Sequence, residues 1–470
     1  MTYSTSPHAP PISEMGSRRA LALTVILSSQ MMLQMDFLIV MVALPKIQAD
    51  LGFSAATLSW VPNAFALALG GLLLLGGRLG DAFGRVRAFQ FGIALFVLAS
   101  LMGGLAQSPF MLIIARVLQG VGAAIAAPSV LALVTNIARN EAERNRGLAL
   151  FITVSSVGAS AGLILGGALT EYFSWRWSLL INVPVGLIVL IMIGRVVGET
   201  ARQPSQFDFG GALAATLGSI ALVFGFINAA EHGWAHLGTL PSLVVAVVLL
   251  GAFWVIEGRA RQPLLDLDLL RNRTRAIALI VMGIIVGMHF SMLFLVVQYS
   301  QKVLGLGPLA AGLAYLPVTG TVFAVTHFMP GLIARFSAGR LQFIGCLLVS
   351  ASFIEFALMG SDGTYVGVVL VPMLVHSLGI TLVFTPGTVL TMDGVPAEHS
   401  GSASGLLQMD QQIGGALGIA VVTSVFAMTS IPGDFVSGLP GAFGVAALFA
   451  LFAAAMTWFL ELKRRSSAPS

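Results

Sequence analysis

Hydrophobic runs dominate this chain, and polar residues gather in short breaks between them. Fourteen apolar stretches can be marked off, over residues 20–44, 57–77, 86–106, 109–134, 147–170, 177–197, 208–230, 239–257, 275–300, 309–334, 341–359, 364–390, 400–428 and 437–462. Most are close to the roughly 20 residues a helix needs to cross the hydrocarbon of a bilayer. They are too long for barrel strands, so the pattern predicts an all-α polytopic membrane protein with 14 transmembrane helices. The breaks leave no room for a soluble domain. The two most hydrophilic, 198–207 and 258–274, bracket a helix pair and leave six spans on either side. The predicted organisation is a tail over 1–19, a six-helix bundle over 20–197, a linker region with two extra helices over 198–274, a second six-helix bundle over 275–462, and a tail over 463–470.

Charge supports this count. With spans alternating in direction, nearly all of the 24 Lys and Arg residues face one compartment. Only Lys46, Arg176 and Lys302 fall opposite, and Arg116 lies inside a span. Loops on the cytoplasmic side keep Lys and Arg, so both termini are expected in the cytoplasm and the chain in the inner membrane. The composition agrees, being 57% hydrophobic and only 9% charged, against about 25% charged for a soluble domain. The net charge of +4 sits in short loops, where topology accounts for it, so nucleic acid is not an expected partner. The single Cys346 excludes an internal disulfide, and the long first span reads as a retained helix rather than a signal peptide.

The flanking sixes look related. Gly84-Arg85 after span 2 matches Gly339-Arg340 after span 10, and Gly158 and Gly162 in span 5 match Gly414 and Gly418 in span 13. Duplicated halves of this kind place a transporter's substrate site between them near the midplane. No Gly-x-x-x-x-Gly-Lys-Ser/Thr phosphate loop, His-Glu-x-x-His or Cys/His cluster is present, so the sequence offers no basis for an enzyme, a metal site or a cofactor.

The sharpest motif runs from Gly77 through Arg78, Leu79, Gly80, Asp81, Ala82, Phe83 and Gly84 to Arg85, Val86 and Arg87. Its glycines permit a tight reversal between spans 2 and 3. Asp81 is expected near the start of span 3, where a helix N-terminus favours a negative charge.

This motif resembles the signature of the major facilitator superfamily, and the fourteen-span layout is similar to its drug/proton antiporter branch. Leu33-Gln34-Met35-Asp36 leading to Ala43-Leu44-Pro45, the run Arg116 to Ala123, Trp175-Arg176-Trp177 with Asn182-Val183-Pro184, and Gly401 to Gly418 fit the same family. The resemblance implies two bundles rocking about a central cavity, export of amphipathic or cationic small molecules, and a proton gradient as energy source. It gives Gly77, Asp81, Gly84 and Arg85 a gating role. Two departures stand out. The family's antiporter motif in span 5 has a Pro after a Gly, whereas here Gly162 is followed by Leu163. Gly158, Gly162 and Gly166 still share one helix face, which supports close packing. In span 13 the family usually has a cation where this chain has Asp410.

Ionisable groups at membrane depth are costly and invite a functional reading. Asp36 in span 1 is the first candidate proton carrier, because a carboxylate balanced between burial and a nearby cation can load and release protons. Arg116, at similar depth in span 4, is expected to tune it directly or through Gln119, and the competing reading is a static ion pair. Asp410 is the second candidate carrier, with Gln408, Gln411 and Gln412 giving a polar face toward the cavity. Met35, Gln119, Gln298, His289, Gln408, Gln411, His376 and Glu355 are the candidate cavity residues, and each histidine reads more readily as a packed hydrogen-bonding group than as a carrier. The expectation is a monomer working with small molecules, protons and the lipid bilayer. The alternatives are a dedicated exporter of one metabolite or antibiotic, and a uniporter or importer of the same fold.

Overall fold

The computed structural model describes residues 12–200, 202, 208–259, 268–361, 363–395 and 400–466. The distal parts of both predicted tails and much of the two hydrophilic linkers lie outside these. Among the described residues are fourteen helices long and apolar enough to cross a membrane. They are α1 (Arg19–Leu51), α2 (Thr57–Phe83), α3 (Arg85–Gly104), α4 (Pro109–Asn136), α5 (Arg146–Tyr172), α6 (Trp177–Val196), α7 (Phe209–His232), α8 (Thr239–Arg259), α9 (Arg273–Lys302), α10 (Pro308–Phe336), α11 (Ala338–Ala357), α12 (Tyr365–Met392), α13 (Ala403–Thr429) and α14 (Val436–Glu461). The number is even and the connections short, so the start of α1 and the end of α14 lie on one face, called here the terminal end. The opposite face is the far end.

The packing repeats. In the first half α1 lies on α5, α3 on α4, α2 on α4, and α6 on both α1 and α3. In the second half α9 lies on α13, α11 on α12, α10 on α12, and α14 on both α9 and α11. Each partnership recurs eight helices later, which makes the halves pseudo-symmetric. The extra pair is lopsided. Helix α7 packs against both α2 and α13, and α8 packs mainly on α7. An apolar cluster of Ala66 and Leu67, Val223 and Ile227, and Ala416 and Ala420 fills the place where α2, α7 and α13 meet. The Ser424 hydroxyl donates to the Phe226 carbonyl at 2.7 Å.

Small residues set the crossings. On α5, Gly158, Gly162 and Gly166 face the backbone of α1 at Met31, Met35 and Ile39. On α13, Gly414 and Gly418 face Gly283 and Gly287 of α9. The absence of a β-carbon lets the axes approach, as in small-residue membrane crossings generally. The second crossing is glycine on glycine and the closer of the two.

Hydrogen bonds between the halves gather from mid-membrane toward the far end. The Gln301 amide donates to the Val42 carbonyl at 2.8 Å, the Lys302 ammonium to Gln48 at 2.7 Å, and the Leu309 N–H to Glu171 at 2.8 Å. Nearer mid-membrane, the Ser160 hydroxyl donates to Thr319 at 3.2 Å.

Candidate functional site

Midway along α1, Asp36 is 0% exposed. Its Oδ2 accepts from Arg116 Nη1. Its Oδ1 accepts from Gln119 Nε2 at 2.9 Å and Asn182 Nδ2 at 2.7 Å. Arg116 also donates through Nε to the Val61 carbonyl at 3.0 Å and through Nη1 to Gln119 Oε1 at 2.9 Å. Its guanidinium lies 4.5 Å from the centre of the Phe65 ring. Gln119 and Asn182 both reach Ser100 Oγ of α3, at 2.8 and 3.3 Å. Helices α4 and α6 therefore donate to the Asp36 carboxylate of α1, with α3 behind them through Ser100 and α2 behind Arg116. A charge taken this far from water persists only when paired and hydrogen-bonded, and every oxygen of Asp36 is engaged.

The second half has a different centre. His289 Nδ1 of α9 lies 3.0 Å from His376 Nε2 of α12, and His376 Nδ1 lies 3.1 Å from Ser352 Oγ of α11. His376 and Ser352 are fully buried, and His289 is half-buried. The histidines, read separately from sequence, form a pair. On α13, Asp410 lies against Gly283, where a β-carbon would come within 2.8 Å of its Oδ1, and its buried Oδ2 has no hydrogen-bond partner. Glu355, one turn beyond Ser352, likewise has a buried Oε2 without a partner.

The candidate cavity residues fall in different surroundings. Gln119 is fully buried and committed to Asp36 and Ser100. Gln298 is buried, donating to the Phe294 carbonyl at 3.2 Å and accepting from Lys302 at 3.0 Å, so it belongs to the far-end contacts. Met35 is 9% exposed and packed at the α1–α5 crossing. The polar residues of span 13 do not form one face. Asp410 looks toward α9, while Gln412 packs against Gly70 of α2. Gln408 is exposed and Gln411 half-buried. The spacing explains this, because two residues turn a helix by about 200°.

The glycine-rich motif is also not the predicted loop. Helix α2 continues through Phe83, and only Gly84, at φ 101°, leaves the helix. Asp81 therefore sits in the last turn of α2, where it pairs with Arg85 at 2.5 Å. The acid at the start of α3 is Glu199, which accepts from the Val86 and Arg87 N–H groups at 2.9 and 3.0 Å. The Arg85 N–H donates to Thr200 Oγ1 at 3.0 Å. Gly84 is needed because a β-carbon there would meet the Glu199 carboxylate. Gly80 packs against Arg85 and Ser129, whereas Gly77 has only ordinary clearance from Pro128. The second half repeats the device in weaker form. Ser337, at φ 67°, precedes α11 and donates to Glu461 at 3.3 Å. Structurally Ser337 stands where Gly84 stands, so the Gly84–Gly339 match is two residues out of register.

Sequence reasoning missed Ser100, Asn182 and Glu199. Asn182 had a signal, since an amide beside a proline at the start of an apolar span is unusual there. Ser100 had none. At the far end, Asp50 accepts from Arg176 Nη1 at 2.6 Å and Trp175 Nε1 at 3.0 Å, which ties the end of α1 to the start of α6.

Comparison with known proteins follows this geometry. A family model described as Major Facilitator Superfamily matches residues 26–419. The chain is 36% identical over 405 residues to the uncharacterised MFS-type transporter EfpA of Mycobacterium tuberculosis, covering 86% of this chain and 76% of that one. It is 35% identical over 455 residues to the cephamycin export protein CmcT of Amycolatopsis lactamdurans, covering 95% and 94%. The crystal structure of a peptide transporter, POT, superposes with a TM-score of 0.68 at 13% identity, covering 93% of this chain and 94% of that one, a likeness of fold alone.

Proposed function

This chain belongs to the major facilitator superfamily, and from that premise we propose that it is a secondary transporter of the inner membrane that exports amphipathic or cationic small molecules in exchange for protons. Export is supported by its likeness, over nearly its whole length, to a named antibiotic exporter. Proton coupling rests on one observation, the buried Asp36 held by Arg116, Gln119 and Asn182. When the halves rock and water reaches α1, one of these donors gives way and the carboxylate takes a proton. When the centre closes again the donors reclaim it and the proton leaves. Asp410, half-buried with a buried oxygen that has no partner, is the second carrier in this reading. Asp81 with Arg85, backed by Glu199, governs the terminal-end gate.

The test is proton release on adding ethidium, a cationic dye, to proteoliposomes carrying wild type, D36N or D410N. Release by wild type and none by D36N is the expected result. Undiminished release by folded D36N removes Asp36 from the mechanism. A second reading, a dedicated exporter of one antibiotic, is favoured by the cephamycin relative. It predicts transport of a single compound class and indifference to ethidium.

A further inference from the structure

The two centres occupy corresponding positions. Asp36 and His289 stand 253 residues apart, as do Gly84 and Ser337, which precede α3 and α11. Ser100 and Ser352 stand 252 apart on those same helices. Gln119 of α4 corresponds to His376 of α12, and both lean on their serine. The chain Asp36–Gln119–Ser100 in the first half thus has a twin in His289–His376–Ser352. No guanidinium enters the twin, because the place of Arg116 falls near Met373 on α12.

Hydrogen-bond bookkeeping fixes the direction of the second chain. The Ser352 hydroxyl has one proton, and it lies 2.7 Å from the Val349 carbonyl, which can only accept. The Ser352 oxygen therefore accepts from His376 Nδ1–H. A neutral imidazole carries one N–H, so His376 Nε2 is the acceptor and His289 Nδ1 the donor. The ring centroids are 5.2 Å apart and the planes 15° apart. This is an edge-to-edge arrangement that aims the His289 N–H along the lone pair of His376. What remains is the lone pair on His289 Nε2, on the one member of this trio that is not fully buried.

We infer that His289 Nε2 is a proton-binding site of the second half, distinct from Asp36, with His376 and Ser352 as positioning residues. Protonation there makes an imidazolium whose Nδ1–H already points at an acceptor, and charge-assisted bonds are the stronger kind. The charge falls on His289 rather than on the fully buried His376, where desolvation would cost more. Among the titratable side chains on helices packed against α9, Tyr315 of α10 donates to the Leu293 carbonyl at 3.4 Å, one turn from His289, and Tyr365 of α12 donates to the Ala314 carbonyl at 2.7 Å. Asp36 is held by Arg116, and Asp410 lies against Gly283, about 9 Å along the α9 axis toward the terminal end. Lys46, Asp50 and Glu461 are near helix ends, and Glu355 lies one turn from Ser352.

The test needs no transported compound, so it stands or falls apart from the exporter reading. Protein labelled with nitrogen-15 at its seven histidines is titrated in nanodiscs and observed by imidazole nitrogen resonances. One imidazole should gain a second N–H as the pH is lowered. That signal should vanish in H289Q and shift its midpoint in S352A, with the other histidine signals intact. If H289Q does not fold, H376L carries the test, because losing the acceptor must move the midpoint. A wild type in which no signal assigned to His289 changes during the titration overturns the inference, as does a midpoint unmoved in both S352A and H376L.

Discussion

Midway along α1 a carboxylate is gripped by an arginine, a glutamine and an asparagine. At the matching point of α9 an imidazole leans on one other imidazole. The same helices, eight apart in order, bring both sets together, so the scaffold does not decide the difference. Charge decides it. The first centre holds two opposite charges away from water and leaves no oxygen of Asp36 free, so any change of state there requires donors to move. The second is neutral in its resting form and keeps a lone pair open. One pseudo-symmetric frame thus carries, at a few inward positions, two polar centres of different character.

The sharpest way to break this comparison is to remove a partner from each centre. R116M leaves a buried carboxylate without its cation and should cost about 3–5 kcal/mol. H376Q in the second centre should cost about 1 kcal/mol. Reversible unfolding in mixed micelles reads both, and equal losses would show that the first centre carries no net charge pair. The double variant D36N/R116M should recover part of the loss of R116M alone.

The helix crossings give the next largest contrast. G418A drives a methyl into the Gly287 backbone and should cost about 1–3 kcal/mol. G158A meets the Met31 carbonyl at 3.3 Å and should cost less than about 1 kcal/mol. Thermal melting of the two variants in one detergent ranks them, and a reversed order would mean that the α9–α13 crossing is the more pliant.

The smallest contrast lies at the terminal end. E199A removes a carboxylate that accepts from two N–H groups at the start of α3 and should cost about 1 kcal/mol. E461A loses one longer bond from Ser337 and should cost about 0.5 kcal/mol. Amide hydrogen exchange at the first turns of α3 and α11 separates them. Protection lost equally in both would put the capping of the two halves on a par.

Much of the frame was legible in the residues. Long apolar runs and short polar breaks locate the fourteen helices to within a few residues at most ends, and the face shared by Gly158, Gly162 and Gly166 is the one that meets α1. The depth of Asp36 and Arg116 in their spans put them at one level. Their partners were not legible. Whether Asn182 or Ser100 turns toward Asp36 depends on the rotation of α6 and α3 about their axes, and packing of whole helices sets that. His289 and His376 lie 87 residues apart, and no local pattern marks them as neighbours. The motif after α2 reads as a loop because its glycines are poor helix formers, yet contacts with α4 hold them helical to Phe83. Glu199 was hidden because it sits in a stretch whose polarity announces only a linker.

The extra helices have one consequence for traffic. A molecule dissolved among the acyl chains can approach a two-bundle transporter sideways, through either of the lines where the bundles meet. Here α7 lies across one of those lines, braced on Ala66 and Leu67 of one bundle and on Ala416 and Ala420 of the other. There α2 and α13 cannot part without one of them releasing α7. On the opposite flank α5 meets α10 directly, with Ser160 on Thr319 and Glu171 on Leu309, so parting the halves on that side means breaking those contacts instead.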